Sequence, residues 1–227
     1  MGALDANYFA RLENILWLYE QSYDPKRVLL CFDERPCFLI DNVLTPVPME
    51  SGKSKREHHE YVKNGSCTVF VAVEPLSGMR IIKVYKRRTG KEYALFMREV
   101  AKHYPEAEKI VLVQDNLATH STASFYAHLK PQIAHKLALK FEMHFTPVRS
   151  SWLNMAEIEL SALSRQCLNR RIGSQERLET EVLAWVKARN KAKVKITWQF
   201  SIQAARGKFK NHYPLEKAKR SKVNKGK

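Results

Sequence analysis

Two short apolar runs of this chain each end in an aspartate, and a later helix-like segment carries a glutamate. Asp33 follows the run Val28 to Phe32, Asp115 follows the run Ile110 to Gln114, and the glutamate is Glu157. Aspartate is a poor strand residue because its short polar side chain favours caps and turns. Carboxylates from three distant parts of a chain can converge on divalent metal ions. The pattern therefore predicts a metal site.

The chemistry that suits such a site is phosphoryl transfer on nucleic acid, which commonly uses two metal ions about 3.5–4 Å apart. Mg²⁺ takes oxygen ligands and keeps several waters, so two or three carboxylates suffice. One ion activates the attacking water or 3′-hydroxyl, and the other stabilises the leaving oxygen. A single strand-end aspartate is more often a turn or cap residue. Two of them, with a helix glutamate on a basic chain, favour the site.

The charge of the chain indicates a polyanionic partner. Its 227 residues include 39 Lys+Arg and 23 Asp+Glu, which gives a net charge of +16 and a pI near 9.7. The tail from residue 215 onward carries +5 of this charge, so +11 lies on the rest of the chain. A protein this basic usually binds nucleic acid. The hydrophobic content of 44% is enough for one ordinary core.

The cysteines and the apolar segments limit the compartment. No Cys-x-x-Cys pair occurs, so zinc-finger spacing is absent and the usage fits a reducing cytosol. We expect Cys31 and Cys67 to be buried small hydrophobes. Residues 1–6 do not form a signal peptide, and no apolar stretch approaches the roughly 18–20 residues that span a bilayer. We therefore expect a cytoplasmic, nucleoid-associated protein with no membrane partner.

Hydrophobic periodicity predicts the elements that position the carboxylates. The predicted strands are 27–33, 67–74, 79–85, 109–115 and 141–145, with an irregular region over 34–65 that includes a charged segment at 53–60. The predicted helices are 8–20, 91–103, one or two within 119–139 split near Pro131, one from an N-cap at Ser151 to Arg171, and 175–190. Beyond residue 191, Trp198, Phe200 and Phe209 suggest a packed extension. This order predicts a mixed α/β fold around one sheet, compatible with a ribonuclease H-like fold.

The local sequence around the three carboxylates resembles the catalytic blocks of DDE-type transposases. The blocks are Cys31 to Glu34, Leu112 to His120 and His144 to Glu157, and the resemblance is greatest to the mariner-like insertion-sequence branch found in bacteria. It covers roughly residues 25–200. The resemblance implies a ribonuclease H-like mixed five-stranded sheet flanked by helices. It also implies Mg²⁺ as cofactor, as two ions, with Mn²⁺ able to substitute.

The family's roles carry over to matching positions. The resemblance implies that Asp33 is the first catalytic carboxylate and bridges both metals, that Asp115 holds one metal, and that Glu157 is the third carboxylate. Glu159 is the rival of Glu157, but a helix turns about 200° in two residues, so both cannot face the metals. Glu34 should point to the opposite sheet face from Asp33, in a solvated or structural ion pair, and is not counted as a ligand.

Further candidates surround these blocks. Asn116 and His120 lie beside the second aspartate, and His120 either contacts a phosphate or nucleophile or is packed locally. Trp152 either stacks on a flipped or end base or is a core aromatic, and the core reading is favoured. Cations that we expect to contact DNA phosphates close the hairpin or flank the third block, and they are Lys83, Lys86, Arg87, Arg88, Lys91, Arg149 and Arg165.

The resemblance implies metal-dependent cleavage and strand transfer at the ends of a mobile element, with double-stranded element ends and target as partners and a homodimer as the working form. We expect an N-terminal helix and linker at 1–24, a catalytic domain at 25–200 and a basic extension at 201–227. About 27 residues precede the first strand, too few for the family's helix-turn-helix region. We therefore expect a truncated copy, a fragment, or half of a split element with a separate helix-turn-helix partner. The alternatives are a non-catalytic DNA-binding remnant and a stand-alone ribonuclease H-like nuclease.

Overall fold

The computed structural model describes residues 4–44, 51–52 and 59–215. Most of the charged segment predicted at 53–60, the prolines at 46 and 48, and the basic tail after residue 215 lie outside this part of the chain. The described chain forms one five-stranded sheet flanked by helices, as predicted. Its strands are β1 (Arg27–Asn42), β2 (Tyr61–Glu74), β3 (Met79–Tyr85), β4 (Lys109–Gln114) and β5 (Phe141–Phe145).

The strand order is β3-β2-β1-β4-β5. The first two junctions, β3 with β2 and β2 with β1, are antiparallel, and β4 runs parallel to both β1 and β5. The sheet therefore contains both parallel and antiparallel pairs, as the resemblance implied. The helices are α1 (Ala6–Tyr19), α2 (Gly90–His103), α3 (Thr122–His128), α4 (Pro131–Lys140), α5 (Ala156–Gln166), α6 (Gln175–Lys191) and α7 (Ile202–Lys208).

The first strand continues well past Asp33, so the predicted strand end there was wrong. Antiparallel pairing with β2 runs along β1 to Asn42 opposite Tyr61, with an irregularity between Phe38 and Ile40. Parallel pairing with β4 stops earlier, at Cys31 opposite Val113. Asp33 therefore lies where β1 has just lost one neighbour. The predicted irregular region 34–65 is strand at both of its ends because the exposed parts of β1 and β2 pair with each other.

Alternating side chains of β1 face two different layers. Phe32 packs with Phe70, Tyr93 and Phe96 in a core beneath α2, α3 and α4. Cys31, on the opposite face, belongs to a core that includes α1 and the segment 153–156. A third cluster joins β2 and β3 to α5 and α6. Because side chains alternate along β1, Asp33 lies on the sheet face that packs against α1 and α5, and Glu34 lies on the face that packs against α2. The two side chains therefore point to opposite faces of the sheet, as predicted.

Both ends of the described chain pack on the α1 side of the sheet. Asp5 caps α1 by accepting a hydrogen bond from the N–H of Tyr8 at 2.7 Å. Phe9 stacks on Tyr213 at 4.0 Å between ring centroids and meets Phe209 edge-on. The predicted aromatic extension is thus packed against α1. The domain boundaries near residues 24 and 200 stay predictions.

The segment around Trp152 differs from the predicted single helix. Ser151 starts a short 3₁₀ turn, Ser151–Leu153, and does not cap α5. Asn154 then takes an extended conformation, and α5 runs only from Ala156 to Gln166. The break occurs because the Asn154 side chain bonds to two backbone groups. It donates to the carbonyl of Phe32 on β1 and accepts from the N–H of Ala156. Such local side-chain bonds compete with helix formation.

Cys31 and Cys67 are buried free thiols, as expected. None of the helices in the described ranges is long and apolar enough to cross a membrane.

Candidate active site

Asp33 lies on β1 opposite Val71 of β2, and its carboxylate accepts a hydrogen bond from the N–H of Glu34 at 2.8 Å. Burial raises the pKa of Asp33 to about 7, although this hydrogen bond acts to lower it. The carboxylates of Glu157, Glu34 and Asp115 add to the rise because like charges nearby disfavour ionisation. Asp33 is therefore close enough to both Asp115 and Glu157 for their charges to act on it.

Asp115 follows the last residue of β4 and is tied to a buried histidine. His120 Nδ1 lies 2.5 Å from Asp115 Oδ1, and His120 Nε2 lies 3.2 Å from Glu34 Oε2. Burial opposes the charge on His120, but its contacts with Asp115 and Glu34 raise its pKa to about 9. The imidazolium therefore holds two carboxylates that come from different strands. Both ring nitrogens are engaged, which supports the packed reading of His120 over a direct phosphate contact.

Two side chains that the sequence analysis did not single out support this histidine. Gln114 is fully buried, accepts from the Tyr93 hydroxyl at 2.9 Å and donates to the His120 carbonyl at 3.1 Å. The Tyr93 ring stacks on the His120 imidazole at 4.9 Å between centroids. The sequence carries a signal for Gln114, which is a polar residue at the end of an apolar run. Asp115, directly after it, was the stronger candidate for chemistry, so Gln114 was not selected.

Glu157 lies in the first turn of α5, and Asn154 fixes the start of that helix. The Asn154 side chain donates to the Phe32 carbonyl at 2.7 Å and accepts from the N–H of Ala156 at 3.1 Å. The carbonyl of Asn154 in turn accepts from the N–H of Glu157 at 3.1 Å. Phe32 precedes Asp33, so one buried amide joins the segments that carry two of the carboxylates. In the sequence, Asn154 lies within the block from His144 to Glu157 that resembles the family, but no role was predicted for it.

Glu159, the rival of Glu157, is held in a buried ion-pair network. Its carboxylate accepts hydrogen bonds from Arg80 at 2.7 and 2.9 Å and from Arg189 at 2.7 and 3.1 Å. Burial opposes its charge, but the bonds from Arg80 and Arg189 lower its pKa. The side chain is 1% exposed and joins α5 to β3 and α6. Its oxygens are committed to the arginines, which supports Glu157 as the third carboxylate.

The donor set fits a divalent metal by its chemistry. All three candidate ligands offer carboxylate oxygens, the donors that Mg²⁺ and Mn²⁺ take. Within residues 4–44, 51–52 and 59–215, no three His, Cys, Asp or Glu side chains are gathered tightly enough to enclose an ion. Burial is the main cause of the raised pKa of Asp33, and repulsion from the charges of Glu157, Glu34 and Asp115 adds to it. A bound cation would offset that repulsion, so Asp33, Asp115 and Glu157 fit the group that the resemblance implied.

The predicted DNA-contacting cations lie in three places. Lys83 is on β3, 3.9 Å from Glu179, and the exposed loop after β3 brings Arg88 to 3.7 Å from Glu34. Arg88 thereby links this loop to the side chains around Asp115. The other exposed members are Lys86, Arg87 and Lys91 near that loop, Arg149 before the 3₁₀ turn and Arg165 in the last turn of α5.

Asn116 and Trp152 both reach the protein surface. Asn116 is exposed and lines a groove with Tyr8 and Arg11 of α1. Trp152 is 44% exposed, with its ring 6.3 Å from Trp198 and 5.8 Å from Phe200 between centroids. Its aromatic neighbours match the favoured core reading in part, but close to half of the side chain faces solvent.

Solved structures of transposase complexes share the fold. The Mos1 mariner paired end complex with Mn matches at 16% identity and a TM-score of 0.56, over 84% of this chain and 58% of that chain. The Mos1 strand transfer complex matches at 14% identity and a TM-score of 0.58, over 84% and 56%. This chain thus spans less than two thirds of those chains. At such identity the likeness establishes the fold, which is that of ribonuclease H-like transposase catalytic domains.

The comparison by sequence gives the family. No curated protein matches the chain. The family model of the DDE superfamily endonuclease matches residues 28–179, a span that contains Asp33, Asp115 and Glu157 and most of the chain. A mixed sheet with carboxylates on β1, after β4 and on α5 accompanies this match. The chain belongs to the DDE superfamily of endonucleases.

Proposed function

We propose that this protein cleaves a DNA strand at the end of a mobile element and joins the resulting 3′-hydroxyl to target DNA, in a metal-dependent reaction. The observation that carries the proposal is the placement of three carboxylates from distant parts of the chain: Asp33 lies on β1, Asp115 directly follows β4, and Glu157 lies in the first turn of α5. Burial raises the pKa of Asp33 and the charges of Glu157, Glu34 and Asp115 add to the rise, so a bound cation would stabilise the charged form of Asp33. Membership of the DDE superfamily supports the same reading.

The chain's own residues have distinct roles in this proposal. Asp33, Asp115 and Glu157 hold two Mg²⁺ ions, or Mn²⁺ in their place. Bound metal supplies Lewis-acid stabilisation of the phosphoryl oxygens and lowers the pKa of the attacking water or hydroxyl. His120 orients Asp115 by occupying one of its oxygens, and Asn154 sets the first turn of α5 so that Glu157 faces Asp33.

The substrate in this proposal is double-stranded DNA. The net charge of +16 supports a polyanionic partner, and the cations after β3 lie beside the Glu34–His120–Asp115 contacts through Arg88. Arg149 and Arg165 extend the set of phosphate contacts. Affinity from such contacts falls steeply with salt. A homodimer, and a separate helix-turn-helix chain that brings element ends, stay predictions.

The proposal is tested by cleavage and joining of pre-cut or nicked element-end substrates in Mg²⁺ or Mn²⁺. Asp33→Asn, Asp115→Asn and Glu157→Gln should each abolish both reactions, and EDTA should do the same. Asp24→Asn is the matched control, since Asp24 is exposed and lies before β1, at the other end of the strand's parallel pairing. Cleavage that survives in the Asp33 and Asp115 variants would overturn the proposal.

Two further measurements separate the alternatives. Calorimetry with Mn²⁺ should show binding that is lost in Asp33→Asn, whereas a non-catalytic remnant would show no carboxylate-dependent binding. Cleavage of an RNA–DNA hybrid in preference to duplex DNA would instead identify a ribonuclease H-like nuclease.

A further inference from the structure

A surface groove runs from the candidate active site along the N-terminal part of α1. Its first section, of about 400 Å³, is lined by Asn116, Arg11 and Tyr8 among others. Its second section, of about 440 Å³, shares Tyr8 and Val148 with the first and continues to Trp152 and α7. Asn116 follows Asp115 in the chain, so one end of the groove opens beside a proposed metal ligand.

The lining combines cations with exposed apolar and aromatic surface. Arg11, Arg149 and Lys208 contribute positive charge. Asp5 is the acidic lining residue, and its carboxylate caps α1 through the N–H of Tyr8. The groove is therefore net positive.

Aromatic rings occur along the second section. Trp152 is 44% exposed, and Tyr8 and Phe209 also line this section, with ring centroids 6.4 Å apart. Val148 is 64% exposed at the junction of the two sections. Positive charge that follows a backbone, combined with rings on which bases stack, is the arrangement that binds single strands without sequence preference. A duplex keeps its bases stacked inside and cannot use such rings.

The backbone at Arg149 adds an independent observation. Arg149 has φ of 62°, in the left-handed region that favours glycine. The chain accepts this strained conformation at an exposed arginine whose side chain lines the groove. Strain of this kind concentrates at ligand-binding positions.

We propose that this groove binds an unpaired DNA strand and leads it toward Asp115. The inference rests on the proposed function, since the strand that the groove leads to Asp115 would be the one that is cut or joined. The occupant is single-stranded nucleic acid because the charge, the exposed ring of Trp152 and the continuity with Asn116 all suit it. A second copy of this chain is the competing occupant.

The test measures binding of a labelled oligothymidine and of a labelled blunt duplex by fluorescence anisotropy in EDTA. Trp152→Ala should weaken oligothymidine binding by about tenfold through lost stacking, with duplex binding unchanged. The matched control is Trp17→Ala. Trp17 is 46% exposed, and it lies about 180° around α1 from Tyr8. This control should leave both probes unaffected.

Arg149→Gly provides a second variant that does not depend on the packing of Trp152. Glycine accepts the conformation at this position, so the fold should be kept while the cation is lost. The slope of log affinity against log salt for oligothymidine should fall by about 0.7 for one lost phosphate contact. Arg177→Ala on α6, another exposed arginine, should leave that slope unchanged.

Two results would overturn the inference. Either groove variant could leave oligothymidine binding intact, or both could weaken the two probes equally, as general surface charge would. In the first case, dissociation of a dimer by the variants in light scattering would identify a second copy of this chain as the occupant. Because binding is read without metal, a groove that binds and a site that does not cleave would overturn the proposed function alone.

Discussion

The side-chain amide of Asn154 donates to the backbone carbonyl of Phe32 at 2.7 Å, and this one buried bond joins the helix that carries Glu157 to the strand that carries Asp33. Asn154 is 1% exposed. The two catalytic candidates are 124 positions apart in sequence, yet each lies within three residues of this bond. The relative position of Asp33 and Glu157 therefore depends on Asn154, a residue that takes no direct part in the proposed reaction.

Asn154→Ala should reduce both stability and cleavage. The Phe32 carbonyl would lose its side-chain donor in a buried setting, which costs about 1–3 kcal/mol. The start of α5 would loosen, so cleavage should need more Mn²⁺ to reach half its maximal rate. Urea denaturation and a Mn²⁺ titration of the cleavage rate measure the two effects. Asn14→Ala is the control, since Asn14 makes an exposed bond to His144 and its loss should cost less than about 0.5 kcal/mol. A variant with normal stability and normal metal dependence would contradict the role.

The two glutamates of α5 should respond in opposite ways to the same substitution. Glu159→Gln removes the charge that Arg80 and Arg189 share, and Arg80 is fully buried. Breaking a buried pair of this kind costs about 3–5 kcal/mol. Glu157→Gln should leave the free energy of unfolding within about 0.5 kcal/mol, or raise it, because it relieves repulsion on Asp33. Cleavage should nevertheless be lost.

Denaturant unfolding of both variants, with cleavage assayed under conditions where each is folded, separates these outcomes. A stable, inactive Glu159→Gln together with an active Glu157→Gln would exchange the roles of the two glutamates.

His120 and Glu34 should show strong energetic coupling. Both side chains are buried, at 2% and 3% exposure, and their contact is 3.2 Å. His120→Ala leaves the Glu34 carboxylate without its buried cation and should cost about 3–5 kcal/mol. Glu34→Gln in the same chain removes the charge left behind, so the double variant should lose less stability than the two single variants summed. A double-mutant cycle from urea denaturation measures the coupling, which we expect to be about 1–3 kcal/mol. Additive losses would contradict the ion-pair role.

The attachment of α7 to α1 should weaken in acid. Arg206 donates to Glu13 at 2.9 and 2.6 Å, Tyr213 donates at 2.6 Å, and the bond from Arg206 lowers the pKa of Glu13 against burial. A lowered pKa contributes stability that is present above the unfolded value near 4.5 and is lost as pH falls through the folded value below it. Arg206 is largely exposed, so solvent screens the pair and its contribution is small.

Hydrogen exchange of the α7 amides should therefore accelerate below pH 4.5 relative to α4. Glu13→Gln should show the fast exchange already at neutral pH and no further change in acid. Equal protection of α7 in the variant and the parent would count against this attachment.

The sequence by itself determined the fold class and the three candidate carboxylates. Apolar runs bounded by turns predicted β3 and β5 with the observed bounds, since burial of those runs leaves a clear periodic signal. The same signal missed the outer halves of β1 and β2, where buried residues are few and the strands are held by pairing with each other. Helix geometry showed that Glu157 and Glu159 face apart, but it did not give the partners of either.

Tertiary structure decided what each polar side chain does. Glu159 is a structural residue because Arg80 and Arg189 reach it from elements 79 residues before it and 30 residues after it. His120 is engaged because Glu34 of β1 and Asp115, which follows β4, meet at its two nitrogens. Hydrogen bonds and ion pairs act over a few ångströms between residues far apart in the chain, so residue types and spacing predict the donors and acceptors but not their pairing.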